Sequence, residues 1–356
     1  MRSIFFGLFC FSLACCANAQ DLITIQGKVI DSLTKEPLPL AQVFIEGTTK
    51  GTTTNLDGEF ILSVYNTGNY EIVCYFVGYQ SSTKLLKATQ ITSYTLNFAL
   101  LTDEVELSTV EVSSTRDKDW SIHLKRFKED FFGRTDMAEK TVLLNPEVID
   151  FTSKNTDKGY EIQGKASTPL LIENKGLGYK IYCNLDDYQN INNKQYSYLG
   201  KFRFEEIPAE DQRQANKLEK NREKAYKGSL RHFLQSLVAD KLKEEGYLLF
   251  NERNEALKAK DLLTPTESPD TWIMFFYGVT RVVYSKESEE LEYAQLENRT
   301  PLPNQTSLLE LVPKNSSILL DKNGYIFNPL NLMVYGYWYW EKVADMVPLD
   351  YIPEKK

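Results

Sequence analysis

The sequence contains only two histidines in 356 residues, His123 and His232. Zinc peptidases commonly take metal ligands from a His-x-x-Glu motif and a distant histidine, with a further carboxylate as general base. The third residue after His123 is Arg126, and the third after His232 is Gln235, so neither position supplies the carboxylate. The shortage of histidine therefore argues against a zinc peptidase, and we expect no metal site.

Two further kinds of catalytic motif are missing or incomplete. No Gly-x-Ser-x-Gly sequence occurs, and two histidines offer little choice of a base for a serine nucleophile. Gly176-x-Gly178 is half of a phosphate-binding loop, but it lacks a third glycine and a following helical pattern, so it predicts a turn. We expect no catalytic residue and no cofactor, and we interpret the chain as non-enzymatic.

The sequence has no excess of positive charge. With 41 basic and 49 acidic residues its formal net charge is -8, which gives no electrostatic reason for binding nucleic acid. The densest apolar run outside the N-terminus, residues 272–279 (WIMFFYGV), is too short to cross a bilayer and is typical of a buried strand. We therefore expect neither a nucleic-acid partner nor a transmembrane helix in the mature chain.

Residues 1–19 have the features of a secretory signal. Arg2 supplies the charged start, residues 4–16 form the apolar run, and Ala17-Asn18-Ala19 is a small-x-small cleavage site before Gln20. A buried N-terminal helix is the alternative interpretation. The pattern predicts cleavage between Ala19 and Gln20, export across the inner membrane, and a location in the periplasm or at the outer membrane.

Cysteine is scarce in the part of the chain that follows this cleavage site. Three of the five cysteines lie in the signal, and lipidation of Cys15 or Cys16 stays open as an alternative to plain cleavage. Cys74 and Cys183 each lie within an apolar strand pattern, so we expect them to be buried small hydrophobic residues. A disulfide between them is allowed in an oxidising compartment, but their spacing does not require one.

Residues 22–100 contain short runs of alternating apolar and polar residues separated by Pro, Gly, Asn and Asp. Alternation with a period of two is typical of half-buried strands, and the tight turns leave no room for helices. Asn55-Leu56-Asp57-Gly58 is one such turn, in which Gly58 is free to take a positive φ. The segment therefore predicts an antiparallel β-sandwich.

This segment also carries a set of short motifs, which are Gly27-x-Val29-x-Asp31, Pro37-Leu38, Ala41-x-Val43, Gly51-Thr52, Thr54-Asn55-x-Asp57-Gly58-x-Phe60 and Gly78-Tyr79. Together they resemble the carboxypeptidase regulatory-like domain. The resemblance implies a transthyretin-like fold and an accessory module, which in Bacteroidota stands at the front of TonB-dependent receptors and many envelope proteins. Asn55 stands where the family commonly has Asp, which preserves the turn but argues against a metal ligand there.

Asp31-Ser32-Leu33 resembles the short acceptor motif for O-glycosylation in Bacteroidota. The resemblance implies that Ser32 is modified. Three residues often match by chance, and a serine in a polar turn explains the same sequence. Both interpretations of Ser32 stay open.

The rest of the chain predicts a connector over residues 101–118 and a mixed α+β domain over residues 119–356. A helix is expected to begin at Trp120 and to end before Gly133, and a charged, exposed helix is expected over residues 209–227. Aromatic-rich strands between and after these helices fit an antiparallel arrangement. We therefore predict an α+β fold overall, with an N-terminal all-β transthyretin-like sandwich followed by a mixed α+β domain with antiparallel strands.

Two local signals mark boundaries within the second domain. Ser229 can cap a helix that runs towards Gly246, and His232 would lie on the polar side of this helix as a surface residue. Asp321-Lys322-Asn323-Gly324 is a strong hairpin signal.

Several stretches after residue 119 carry a second resemblance: Asn145-Pro146-Glu147-Val148, Pro169-Leu170-x-Ile172-Glu173-Asn174-Lys175-Gly176-Leu177-Gly178-Tyr179, Tyr226-x-Gly228-Ser229-x-x-His232-Phe233, and Gly336-Tyr337-Trp338 with Asp345-x-x-Pro348-Leu349-Asp350-Tyr351. As a set they are similar to a Bacteroidota family in which a regulatory-like sandwich precedes an uncharacterised α+β region. The resemblance implies an exported envelope protein without an established activity.

Two features keep other functions open. Glu173, Asp186-Asp187 and Glu205-Glu206 could supply the paired carboxylates of a glycan- or peptidoglycan-acting hydrolase. The aromatic residues of 335–340 could stack on sugar rings in a carbohydrate-binding protein, although aromatic residues in strands are more often core. The sequence favours an exported, non-enzymatic cell-envelope protein with a binding or assembly role, whose partner is an envelope protein or a glycan.

Overall fold

The fold is known from a computed structural model, which describes residues 22–64, 68–88, 92–103, 119–268 and 270–353. Within these residues the protein is mainly β, with five sheets and eight α-helices. Three large clusters of buried apolar side chains organise it, one in the N-terminal part and two in the region after residue 119.

The N-terminal part is a β-sandwich. Its strands are β1 (Ile23–Asp31), β2 (Gln42–Ile45), β3 (Gly51–Thr53), β4 (Glu59–Val64), β5 (Gly68–Tyr75), β6 (Ser82–Ala88), β7 (Ser93–Thr95) and β8 (Phe98–Leu100). One sheet pairs β1 with β4, β7 and β8, and the other has the order β3-β2-β5-β6. β7 and β8 run parallel to β1, unlike the antiparallel expectation, because the chain crosses between the sheets after β6. Side chains from both sheets, including Ile25, Ile72 and Phe98, form one core.

Two glycines of the sandwich motifs are required by the backbone. The Asn55 side-chain oxygen accepts hydrogen bonds from the N–H groups of Asp57 (3.0 Å) and Glu59 (2.8 Å), and Gly58 has a φ of +73°, which confirms the predicted turn. A Cβ on Gly27 would lie 2.0 Å from the carbonyl oxygen of Leu96. Only glycine therefore lets the link between β7 and β8 lie against β1.

The next part is a six-stranded antiparallel sheet covered by a helix. Its elements are α1 (Trp120–Phe132), α2 (Asp136–Glu139), β9 (Thr141–Leu143), β10 (Ile149–Thr156), β11 (Gly159–Ala166), β12 (Leu170–Asn174), β13 (Tyr179–Ile191) and β14 (Gln195–Glu206). The order is β10-β11-β13-β12-β9, and β14 pairs with β13. Phe127 and Phe131, four residues apart, lie on the buried face of α1, and Phe127 packs against Tyr188. The helix ends before Gly133, as predicted.

The last part contains two smaller sheets and most of the helices. The helices are α3 (Gln212–Tyr226), α4 (Leu230–Val238), α5 (Leu242–Glu245), α6 (Ala259–Leu262), α7 (Leu291–Leu296) and α8 (Tyr337–Trp340). The strands are β15 (Tyr247–Phe250), β16 (Ala256–Leu257), β17 (Leu263–Pro265), β18 (Thr271–Met274), β19 (Val279–Tyr284), β20 (Gln305–Leu311), β21 (Ile318–Asp321) and β22 (Leu332–Gly336). They form the orders β16-β15-β19-β20-β22 and β17-β18-β21, and their core includes Phe233, Leu309 and Trp338.

Both local boundary signals of this part are confirmed. The Ser229 side chain accepts a hydrogen bond from the His232 N–H at 3.2 Å and so caps α4. The helix expected to run towards Gly246 is not continuous, because α4 ends at Val238 and the separate helix α5 leads to Gly246. In the predicted hairpin, the Gly324 N–H donates to the Asp321 carbonyl at 3.1 Å. The aromatic stretch after β22 is the one-turn helix α8, which begins after Gly336 at a φ of +74°.

Each helix in the described residues is too short or too polar to cross a bilayer. The sandwich core uses residues from Ile23 to Leu100. The predicted signal and residues 104–118 of the predicted connector lie outside the described residues.

We expect Gly27→Ala to lower the free energy of unfolding by about 1 to 3 kcal/mol, because the added Cβ would overlap a backbone oxygen. Gly68→Ala is the matched control in the same sandwich, since the nearest atom to its Cβ would lie 3.8 Å away, in the Tyr70 side chain. Urea unfolding of both variants measures the difference. Equal stability of the two variants would contradict this explanation of Gly27.

Candidate functional site

The two histidines are buried in different parts of the fold. His123 is 2% exposed, and its Nε2 lies 3.0 Å from the Tyr160 hydroxyl. His232 is 5% exposed, with Nδ1 2.9 Å from the Tyr247 hydroxyl, so the expectation of a surface histidine is wrong. Tyrosines of β15 and β19 pack on its ring, and this burial lowers its pKa. In the part of the chain that the structure describes, no three His, Cys, Asp or Glu side chains are placed to hold a metal ion.

The carboxylates considered for glycoside hydrolysis lie on the six-stranded sheet beside cations. Glu173 on β12 and Glu205 on β14 are both opposite Lys180 of β13. Glu205 lies 3.9 Å from Lys180, and Glu173 lies 3.4 Å from Lys175. The other three candidates are spread along the same sheet: Asp186, Asp187 and Glu206. This arrangement is a surface charge ladder, in which a lysine separates the two carboxylates.

Most aromatic residues of the stretch 335–340 belong to the core. Tyr337, Trp338 and Trp340 are buried. Tyr335 and Tyr339 are 38% and 40% exposed, but they lie on different elements and contact different partners. The stretch therefore contributes mainly to the core, and its two exposed tyrosines do not form one stacking surface for a sugar.

Cys74 and Cys183 are buried and free, which confirms the interpretation as small hydrophobic residues and leaves no disulfide between them. Burial raises the pKa of Cys74 to about 12. The Ser32 hydroxyl is shielded from solvent and has no hydrogen-bond partner, and its glycosylation stays a prediction. Four further predicted positions lie outside the described residues: Cys15, Cys16, Ala19 and Gln20.

A groove of about 470 Å³ runs beside β9. Its lining includes the buried apolar side chains of Phe132 and Leu143, and Val142, which is 47% exposed. Its rim carries charges of both signs, from Lys128, Glu129, Arg134 and Glu139. The groove thus combines an apolar floor with a charged rim, which is a common arrangement in binding sites.

The backbone of β9 offers unpaired hydrogen-bonding groups to this groove. β9 pairs with β12 and has no other strand partner among the described residues. The Lys140 carbonyl and the Leu144 N–H bond to the β12 side, at 3.0 Å and 2.7 Å. Backbone groups alternate in direction along an antiparallel pair, so the N–H and C=O groups of Val142 also point to β12. The N–H and C=O groups of Thr141 and Leu143 therefore point away from β12.

A second, smaller cavity, of about 30 Å³, is rich in carboxylates. Its charged lining consists of Asp136, Lys224, Glu287, Glu290, Glu341 and Asp345. Lys224 bonds to Glu290 at 2.8 Å, and the Thr135 hydroxyl donates to Asp345 at 2.9 Å. The cavity has room for about one water molecule, so it is an internal polar cluster more than a ligand pocket.

Burial raises the pKa values of several carboxyl groups in this cluster. The pKa of Asp345 rises to about 7, although hydrogen bonds from Thr135 and from the Lys342 N–H act in the opposite direction. Burial also raises the pKa of Glu287, and it raises that of Glu341 well above its usual range. The cluster therefore holds protons near neutral pH.

The loop between β2 and β3, residues 46–50, docks the sandwich onto β14. The Gly47 N–H donates to the Phe202 carbonyl at 2.8 Å, and the Phe204 N–H donates to the Thr48 carbonyl at 3.0 Å. This docking loop therefore adds a short parallel segment to the edge of the six-stranded sheet. On its other side, the Leu349 N–H donates to the Gly47 carbonyl at 2.7 Å.

Glu46 is the buried acid of this contact. It is 7% exposed, and its two carboxylate oxygens lie 3.0 Å and 3.1 Å from the Phe202 nitrogen, which donates to them. The neighbouring Lys201 bonds to Glu71 of β5 at 2.5 Å. A bulge in β13 places Asp186 near the same cluster. Sequence reasoning missed Glu46, whose only signal is a carboxylate directly after the buried strand β2.

Comparison with known proteins identifies the N-terminal part. Residues 25–112 match the family model described as CarboxypepD_reg-like domain. The chain therefore contains a carboxypeptidase regulatory-like domain, as the sequence motifs predicted. The matched range includes residues 104–112, which lie outside the described residues. No curated protein matches the chain.

Solved structures show only distant likeness. The backbone protein of group B streptococcus pilus 2b shares 18% identity over 22% of this chain and 40% of its own, with a TM-score of 0.19. A putative carbohydrate binding protein from Bacteroides uniformis shares 10% identity over 50% of this chain and 78% of its own, with a TM-score of 0.18. A putative membrane-associated protein of unknown function from Bacteroides fragilis shares 13% identity over 88% and 97%, with a TM-score of 0.20. The chain spans 40% to 60% of the first solved proteins that it matches.

We expect Asp345→Asn to reduce the pH dependence of stability. A carboxyl group whose pKa rises from 3.8 to about 7 on folding stabilises the folded state below its unfolded pKa, and this contribution is lost as pH rises towards 7. The decrease in the free energy of unfolding between pH 5 and pH 8 should therefore shrink by about 1 to 3 kcal/mol in the variant. Urea unfolding at both pH values measures it, with Glu292→Gln on the exposed side of α7 as the control. An unchanged decrease in Asp345→Asn would contradict the proton assignment.

Proposed function

We propose that this chain, which carries a carboxypeptidase regulatory-like domain over residues 25–112, is an exported, non-enzymatic cell-envelope protein that binds an extended segment of another envelope protein. The groove beside β9 carries the proposal, because it places unpaired backbone groups next to an apolar floor. In this account the N-terminal sandwich has a transthyretin-like fold and acts as an accessory module. The signal pattern of residues 1–19 supports export.

Strand addition is the binding mode that fits this groove. An extended segment beside β9 would exchange backbone hydrogen bonds with Thr141 and Leu143, and it would place an apolar side chain near Val142 and Phe132. The same sheet already accepts such an addition at its opposite edge, where the docking loop pairs with β14. The rim carries charges of both signs, including the Glu129–Arg134 pair at 2.6 Å. The rim therefore favours neither an acidic nor a basic segment.

Hydrolysis has less support than binding. The candidate carboxylates Glu173 and Glu205 are paired with cations on the sheet, and the aromatic stretch after β22 is mostly core. The groove beside β9 is lined by neither these carboxylates nor this aromatic stretch. We therefore propose no catalytic role for them.

A photo-cross-linking side chain at the exposed rim position Glu139 should capture the partner segment in the envelope of the producing cell. A synthetic peptide of the captured segment should then bind the purified protein and slow hydrogen exchange of the Thr141 and Leu143 amides. Val142→Asp should weaken peptide binding at least about tenfold, because it places a charge against the apolar floor. Val77→Asp is the matched control, since Val77 is 64% exposed in the sandwich.

Two results would contradict the binding proposal. One is a captured segment whose peptide binds without protecting the Thr141 and Leu143 amides. The other is the absence of any cross-link from Glu139 in the envelope, with the protein present there in full amount.

Export makes a separate prediction about the N-terminus. The mature protein should begin at Gln20, and replacing Ala19 by Arg should block cleavage, because the signal site requires small residues. Intact-mass spectrometry of the protein from envelope fractions measures both results. A mass that includes a lipid on Cys15 or Cys16 would support the lipoprotein alternative, and an uncleaved protein in the cytosol would contradict export.

A further inference from the structure

We propose that docking of the sandwich onto β14 is controlled by a proton on Glu46, so that the docking loop stays on the sheet edge when this carboxyl is protonated and leaves it when the carboxyl is ionised. This inference concerns the contact between two parts of the chain. It does not depend on the proposed function of the β9 groove.

Release of the docking loop from β14 would not require unfolding of either part, and it would leave the hydrogen bonds from Asn69 to Thr271 and from Lys87 to Ser268 in place. The sandwich has its own apolar core, and the six-stranded sheet has another. The docking loop is held mainly by polar contacts: backbone hydrogen bonds to Phe202, Phe204 and Leu349, and hydrogen bonds from the Thr49 N–H and hydroxyl to the Asp350 carboxylate. Such a polar contact between separately cored parts is the kind that opens and closes in multidomain proteins.

Three carboxylates and three cations lie around Glu46. The groups that face it or border the same contact are Lys50 of the docking loop, Glu71 of β5, Cys183 and Asp186 of β13, Lys201 and Arg203 of β14, Tyr325 after β21, and Asp350 near the C-terminus. The charges that act most on Glu46 are two carboxylates, Glu71 and Asp186, and one cation, Lys201. Lys201 is already paired with Glu71. An ionised Glu46 would therefore add a third carboxylate beside Glu71 and Asp186 around one lysine.

Glu46 in the docked state ionises at mildly alkaline pH. Burial raises the pKa of Glu46 to about 8, although Lys201 and the Phe202 N–H act in the opposite direction. In the undocked state the carboxyl regains water, and its pKa returns towards the ordinary value of 4.5. Between the undocked and the docked pKa, the equilibrium constant for docking therefore falls by up to about tenfold for each unit that the pH rises. The total change in this constant is on the order of 10³. Docking should weaken as pH rises towards 8.

Hydrogen exchange of the wild-type protein tests the proposal. Protection factors, corrected for intrinsic exchange rates, should fall at least about tenfold between pH 6 and pH 9 at the Gly47, Phe204 and Leu349 amides. Amides in the sandwich core, such as Ile25, should keep their protection over the same range. Constant protection at the docking amides would overturn the proposal.

Two variants make the test specific to Glu46. Glu46→Gln, which cannot ionise, should keep the docking amides protected at pH 9, whereas Glu59→Gln on β4 should behave like the wild type. Wild-type pH dependence in Glu46→Gln would overturn the assignment.

Discussion

The buried carboxyl group of Glu46 joins the N-terminal sandwich to the edge strand β14 of the six-stranded sheet. Glu46 accepts the Phe202 N–H, while the loop that carries it pairs with β14 on one side and with Leu349 on the other. The docking loop is therefore the place where the N-terminal module contacts both the six-stranded sheet and the C-terminal segment, and Asn69 and Lys87 add hydrogen bonds from the module to Thr271 and Ser268. Because each large part has its own core, this contact sets their arrangement without being needed for their folding.

The contact at Glu46 lies at one edge of the six-stranded sheet, and the sheet has further edges. β13 pairs with β14 along one side and with β11 and β12 along the other, so β14 and β9 lie on opposite edges. The sandwich covers the β14 edge, and the β9 edge faces a groove. An open sheet edge is a surface on which extended chains pair, and of the three edge strands β9, β10 and β14, only β14 is paired with the docking loop. A binding or assembly role follows more naturally from that asymmetry than a catalytic one.

The sequence predicts the local features of this fold well. The Asn55 turn, the cap at Ser229 and the end of α1 before Gly133 each depend on a few neighbouring residues. His232 was misplaced because helical spacing describes one helix alone, whereas tyrosines of β15 and β19 cover the side of α4 that looks polar. Glu46 was missed for the same reason, since its partner lies 156 residues away in the sequence. The β9 groove likewise combines a helix end, a turn and a strand, which no short pattern records.

The ionisation of Glu46 itself is the most direct test of this account. Carbon NMR of the protein labelled at the glutamate side chains, with the Glu46 signal assigned by the Glu46→Gln variant, measures its pKa in place. The account predicts a midpoint near 8, because burial in the docked contact outweighs the attraction of Lys201. A midpoint near the ordinary 4.5 would contradict the account, since the carboxyl would then be ionised and solvated throughout the neutral range.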